Sequence, residues 1–215
     1  MDLLYVAREP SQPTARPPLL VLLHGIGADE NDLLPLADAL DPRFLVASVR
    51  APFEAAPMGN AWFAIDFRTT PPRNDLAQAE ESRQALCALL PELQARHGAD
   101  ASRTFLLGFS QGAAMALAVA LTRPDLVHGL VLHSGRVLPG VAAQAAPPEA
   151  LARLEALVVH GVDDDVLPVR CGREIRDLLA PWLGDRLTYR EHDAGHFVTP
   201  ATLDDVAAWL AARAA

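Results

Sequence analysis

Apolar residues along this 215-residue chain fall into short continuous runs separated by stretches of helical spacing. Leu19 to Leu23 is uninterrupted hydrocarbon, and Phe44 to Val49, Thr104 to Leu107, Val127 to His133 and Leu157 to His160 come close to it. Runs of that length, bounded by Gly, Pro or Asp, read as strands covered on both faces, the mark of a parallel sheet. A further strand is expected over Arg186 to His192 and an edge strand over residues 3 to 8, before a Pro-rich loop from Glu9 to Pro18. Between these runs the period changes. Leu33, Leu34, Leu36, Ala37 and Leu40 form an apolar stripe on a helix beginning near Glu30 or Asn31. Asp75 to Gly98 predicts a long amphipathic helix, kinked or divided at Pro91. An Ala-rich helix follows Ser110 and stops before Pro124, and two more are expected over Cys171 to Trp182 and Ala201 to Arg213.

Strand and helix alternate throughout, which predicts an α/β fold with a mostly parallel central sheet and a single domain over residues 1–215. Two stretches stand outside the alternation. Residues 53 to 74 have no clear period and are too long for a routine connection, and Gly140 to Pro148 reads as a mobile Ala/Pro segment. With the core units using most of the chain, residues 53 to 74 and 136 to 150 are the expected walls of a site.

Composition narrows the function classes. At 51% apolar residues and without a long polar tract, the chain is expected to be globular. A net charge of −9 argues against nucleic-acid or anionic-membrane partners, which need a concentrated positive face. No apolar run is long enough for a membrane span, so no stable membrane insertion is expected. At the N-terminus Arg8 arrives too soon for the apolar core of a signal peptide, which points to a cytoplasmic protein. Cys87 and Cys171 are expected as small buried hydrophobes in a reducing compartment. All 18 basic residues are arginine, which excludes lysine Schiff bases, Ser–Lys dyads and pyridoxal phosphate attachment. No Cys/His cluster has zinc-ligand spacing and no Gly-rich loop ends in a phosphate-binding lysine, so neither metal nor cofactor is expected.

The chemistry is concentrated in Gly108-Phe109-Ser110-Gln111-Gly112, a G-x-S-x-G pentapeptide with a strand before it and a helix after it. That context is a nucleophile elbow: small residues two positions either side of the serine let the chain turn sharply and present the hydroxyl above the sheet. Ser110 is a poor nucleophile until a neutral imidazole takes its proton, and an acid must orient that imidazole. The acid cluster Asp163, Asp164 and Asp165 and then His196 follow later strands, in the order Ser, Asp, His of α/β-hydrolases. Spacing alone does not separate Asp164 from Asp163 and Asp165, and His192 is a rival base. A tetrahedral oxyanion needs two N–H donors, and the backbones of Gln111 and, in His24-Gly25-Ile26-Gly27, of Ile26 are placed to supply them.

Leu22 to Leu33, Arg50-Ala51-Pro52, Gly59-x-x-Trp62-Phe63, the Ser110 pentapeptide, His160-Gly161-x-x-Asp164 and Gly195-His196 together resemble the phospholipase/carboxylesterase family. The resemblance, which covers nearly the whole chain, implies an α/β-hydrolase fold with helices on both faces and no separate cap domain. It also implies cofactor-free hydrolysis of carboxylic esters or thioesters. By position it places the nucleophile on Ser110, the acid on Asp164, the base on His196 and the oxyanion donors on Ile26 and Gln111.

Other residues have quieter readings. His24, His133 and His160 end strands and are expected to shape loops by hydrogen bonding. Asp29, Glu30 and Asp32 are expected as helix-start acids, and Arg136 at the surface. Trp62 and Phe63 are substrate-binding candidates if the irregular loop exposes them in an acyl groove; otherwise they plug the core. The expected substrate is a small-molecule ester, with lysophospholipids and acyl thioesters within reach. The alternative is a hydrolase-fold binding module with negligible turnover.

Overall fold

The computed structural model describes residues 1–12, 14–55, 57–70 and 72–214. Seven strands form its central sheet: β1 (Tyr5–Arg8), β2 (Pro18–Leu23), β3 (Leu45–Val49), β4 (Asp100–Phe109), β5 (Gly129–His133), β6 (Glu155–Gly161) and β7 (Leu187–His192). Their spatial order is β1-β3-β2-β4-β5-β6-β7, with β1 antiparallel to β3 and every other pair parallel. Parallel strands all point their carboxyl ends to one edge. Leu23 aligns with Gly108, Phe109 with His133, and Gly161 with His192, so the loops carrying the candidate chemistry leave that same edge.

Both faces of the sheet are covered, as the unbroken apolar runs demand. In β2, Leu19, Val21 and Leu23 pack on one side with α1 (Leu76–His97), α2 (Gln111–Thr122) and α3 (Arg170–Leu183). Leu20 and Leu22 point the other way, toward Leu33, Leu40, Phe44 and α4 (Pro200–Ala211). Every residue of α2 from Gln111 to Leu121 is buried. A helix apolar all round must lie inside, and its alanines let it sit close against both sheet and α1.

Several elements depart from expectation. The helix expected over Asn31 to Leu40 is a 3-10 segment, Leu34–Ala39. Pro35 opens it without an N–H, and Leu36 and Leu40 donate to Leu33 and Ala37 in i→i+3 bonds. Pro91 does not divide α1: the helix runs on, capped by Asp75, whose carboxylate accepts from Ala77 and Gln78, and closed by Gly98 at φ 65°. Leu86, Leu89, Leu90 and Leu93 are buried on both sides of the proline, so packing outweighs one lost hydrogen bond. The aperiodic stretch contains two small antiparallel ribbons, Phe53–Glu54 with Asn60–Ala61 and Ile65–Asp66 with Arg73–Asn74. The Ala/Pro segment carries two short 3-10 turns and is tied to α2 through Ala146 N–H and Leu121 O (2.7 Å). Among the described residues no helix is long and apolar enough to cross a membrane.

Candidate active site

Ser110 stands between β4 and α2 with φ 53° and ψ −113°, a conformation that L-residues adopt only under constraint. The neighbours show why the flanking glycines are needed. A Cβ on Gly108 would lie 2.4 Å from Gly112 O, and one on Gly112 would lie 2.0 Å from Leu23 O. The first glycine lets the chain fold back on itself, and the second lets α2 start in contact with β2. Ser110 N–H is held by His133 O (2.9 Å), and its side chain is almost covered.

Two loops bring the other groups. The turn after β6 buries Asp164, whose Oδ1 accepts from the N–H groups of Val166 (3.0 Å) and Leu167 (2.7 Å). The loop after β7 carries His196, and Gly161 makes room for it, since a Cβ there would meet Ala194 O at 2.2 Å. His196 Nδ1 is 2.7 Å from Asp164 Oδ2 and its Nε2 is 2.9 Å from Ser110 Oγ. A carboxylate only accepts, so Nδ1 carries the proton and Nε2 is free to accept from the serine hydroxyl. Phe109 lies against the imidazole, ring centroids 5.0 Å apart, and restricts its tilt.

The remaining candidates separate cleanly. Asp163 and Asp165 are exposed, and Asp163 meets the His196 loop only through its backbone N–H to Ala194 O. His192 donates from Nε2 to Asp205 on α4 (2.9 Å), whereas the Ser110 hydroxyl is bonded to His196. Glu30 is not a helix-start acid; it forms a two-pronged pair with Arg50 at 2.5 and 2.6 Å, which lowers its carboxyl pKa. Among the described residues, no group of three or more His, Cys, Asp or Glu side chains converges as a metal would require.

The loop after β2 runs beside Ser110: a Cβ on Gly25 would be 3.5 Å from Ser110 Cβ. His24 anchors it. Its Nδ1–H donates to Gly25 O (2.7 Å) and its Nε2 accepts from Ala51 N–H (3.0 Å), so the ring is neutral, in keeping with a pKa lowered by burial. The next residues are clamped to the ribbon before Trp62 by Gly27 N–H to Asn60 O and Asn60 N–H to Ala28 O, each 2.8 Å. Gln111 opens α2, where the first N–H groups have no intrahelical acceptor.

Trp62 and Phe63 do not line an open groove. They are 0% and 1% exposed and belong to the core that also holds α1 and α2. Placement in an irregular stretch carries no period to reveal the inward side, and here both rings turn in. Exposed apolar side chains around the site are instead Ile26 in the His24 loop, Val162 and Val166 flanking Asp164, and Phe197 after His196. Met58 is also exposed, and its backbone abuts Gly27.

A model of the phospholipase/carboxylesterase family matches residues 6–213. The chain belongs to this family. Esterase YpfH of Escherichia coli is 27% identical over 207 residues, covering 90% of this chain and 81% of that protein. Acyl-protein thioesterase 1 of Eremothecium gossypii is 25% identical, covering 90% and 86%. The crystal structure of esterase PE8 superposes with a TM-score of 0.83 at 29% identity, covering 99% of this chain and all of that one. That of a carboxylesterase from Mesorhizobium loti gives 0.83 at 25%, covering 97% and 94%. As a phospholipase/carboxylesterase family member the chain is a hydrolase with the α/β-hydrolase fold.

In this family member His133 sits at the end of β5, 2% exposed, with no partner for either ring nitrogen among the described residues. Burial pushes its pKa down to about 3, helped by the His160, His196 and His192 imidazoles and opposed by Asp164. The unfolded chain takes up a proton below about pH 6.5 that the native state refuses. The corresponding stability is therefore full above that pH and is lost as pH falls toward 3. The slope is about 1.4 kcal/mol per pH unit. His133→Leu is expected to flatten the acid limb of a denaturant-derived stability profile by that amount; an unchanged slope would show that His133 protonates freely in the fold.

Proposed function

We propose that this hydrolase cleaves carboxylic esters through an acyl-enzyme at Ser110. The observation that carries the reading is the unbroken hydrogen-bonded line from Ser110 Oγ through His196 to Asp164 at a strained elbow. His196 Nε2 takes the hydroxyl proton as Oγ attacks the carbonyl carbon. The resulting oxyanion is received by the backbone N–H groups of Ile26 and Gln111, and the imidazolium is stabilised by Asp164. His196 then gives the proton to the departing alcohol or thiol. Water, deprotonated by the same imidazole, attacks the ester formed on Ser110, and the acid leaves as His196 returns the proton to Oγ.

The surroundings favour an apolar acyl group of small or medium size. Ile26, Val162, Val166 and Phe197 are exposed on the loops that carry the site residues, and a cleft of about 770 Å³ is lined by Ala64, Asp66 and Arg73 of one expected wall, Pro139 of the other, and the start of α1 at Leu76. The triad does not line that cleft. Kinship to an acyl-protein thioesterase extends the proposal to thioesters. A cytoplasmic setting is part of the same proposal. Nitrophenyl esters graded from acetyl to palmitoyl, beside matching acyl thioesters, test the reading. Hydrolysis that peaks at short or medium chains is expected. A folded protein inactive on every ester and thioester would refute it and favour a binding module.

A further inference from the structure

Gln111 occupies the first turn of a helix otherwise built from small and aliphatic residues, and its side chain is buried. A buried amide must have its hydrogen bonds met, and both ends of this one are. Its Oε1 accepts from Trp62 N–H (2.7 Å) and its Nε2 donates to Phe63 O (2.7 Å), so the amide grips the backbone of residues 62 and 63 as a neighbouring strand would. Trp62 in turn passes the connection on. Its indole Nε1–H donates to His24 O (2.9 Å), its ring lies 5.7 Å from the His24 ring, and its carbonyl is held by Ser82 Oγ–H (2.6 Å). His24 closes the path through its bond to Gly25 O, one residue before Ile26.

We propose that Trp62 and the Gln111 side chain are positioning residues that set the spacing of the two oxyanion donors, the backbone N–H groups of Gln111 and Ile26. The inference rests on the serine-hydrolase reading above. One donor sits on α2 and the other on the loop after β2, elements that follow different strands. The pairing of β2 with β4 and the close approach of Gly112 to Leu23 and His24 hold the two elements together, and the side-chain path adds a directional polar link between the donors. The path Gln111 side chain, Trp62, His24, Gly25 ties them through hydrogen bonds of 2.7 to 2.9 Å, all buried. Preorganised donors stabilise an oxyanion strongly only if they are aimed before the charge develops. The strut supplies that aim without touching substrate, which accounts for two aromatic-segment bonds that core packing alone would not require.

The role predicts a separation of effects. Trp62→Phe keeps an aromatic ring in the core and removes the indole N–H, and Gln111→Glu keeps the acceptor for Trp62 N–H while removing the donor to Phe63 O. In either variant kcat on a short nitrophenyl ester is expected to fall about 10- to 100-fold with KM within about twofold, the signature of an interaction felt in the transition state. Affinity for a trifluoromethyl ketone, which forms a tetrahedral adduct, should fall by the same factor, whereas a merely structural role would not couple the two. Two variants are used because one core substitution can impair folding; near-UV circular dichroism identifies a folded sample. Folded variants with unchanged kcat, or with lower kcat but unchanged ketone affinity, would overturn the proposal. If wild type itself shows no Ser110-dependent hydrolysis, the hydrolase reading fails instead, and the two failures are told apart.

Discussion

Ser110→Ala is expected to lower kcat for ester hydrolysis by about five to six orders of magnitude, the loss seen when a triad nucleophile is removed. The hydroxyl is the group in contact with His196 Nε2, and among the described residues no other side chain is bonded to that nitrogen. Alanine meets the same backbone demand as serine at φ 53°, and its Cβ occupies the same space, so the fold and melting temperature should stay close to wild type. The residual rate over water would come from the oxyanion donors and from substrate binding. KM is expected to change little, because the serine makes its new bond after binding. Activity within tenfold of wild type in the folded variant would move the nucleophile elsewhere.

Gly112→Ala is expected to damage the fold severely with a single added methyl. Its Cβ would sit 2.0 Å from Leu23 O and 2.6 Å from His24 O, all backbone, so neither neighbour yields by turning a side chain. Helix α2 would have to leave β2 and carry Ser110 and the Gln111 N–H with it. Overpacking of this kind costs about 3 kcal/mol or more, which in a chain this long lowers the melting temperature by roughly 10 °C. Gly98→Ala is the comparison. Nothing lies within 4 Å of that Cβ, and the penalty is the left-handed backbone alone, about 1 kcal/mol. Thermal unfolding of the two variants side by side checks the order; equal shifts would show that α2 does not depend on its close approach to β2.

The parts of this molecule legible in its sequence are those whose physical demands are local. Leu19 to Leu23 reads as a strand covered on both faces, and Gly108 and Gly112 around Ser110 announce a chain that turns where side chains collide. Asp164 was separable from Asp163 and Asp165 by family resemblance but not by spacing. Its distinguishing feature is three-dimensional: its carboxylate accepts two backbone N–H groups from its own turn while its neighbours face solvent. The helix expected near Leu33 to Leu40 had a credible stripe, yet Pro35 and the short run left only 3-10 turns. For Trp62 the sequence leaves groove and core equally open, because an irregular segment has no period from which to read an inward face, and its bond to His24 joins residues 38 apart in the chain. The Gln111 side chain left one faint signal, a large polar residue opening a helix that is otherwise apolar all round.

The central claim is a single activated serine, and covalent labelling tests it most directly. Incubation with a fluorophosphonate, followed by intact-mass measurement and peptide mapping, should show one adduct per chain, located on Ser110. His196→Ala should slow labelling by orders of magnitude, since the unassisted hydroxyl is a weak nucleophile. A folded protein that takes no label, or takes it at a residue other than Ser110, would contradict the account.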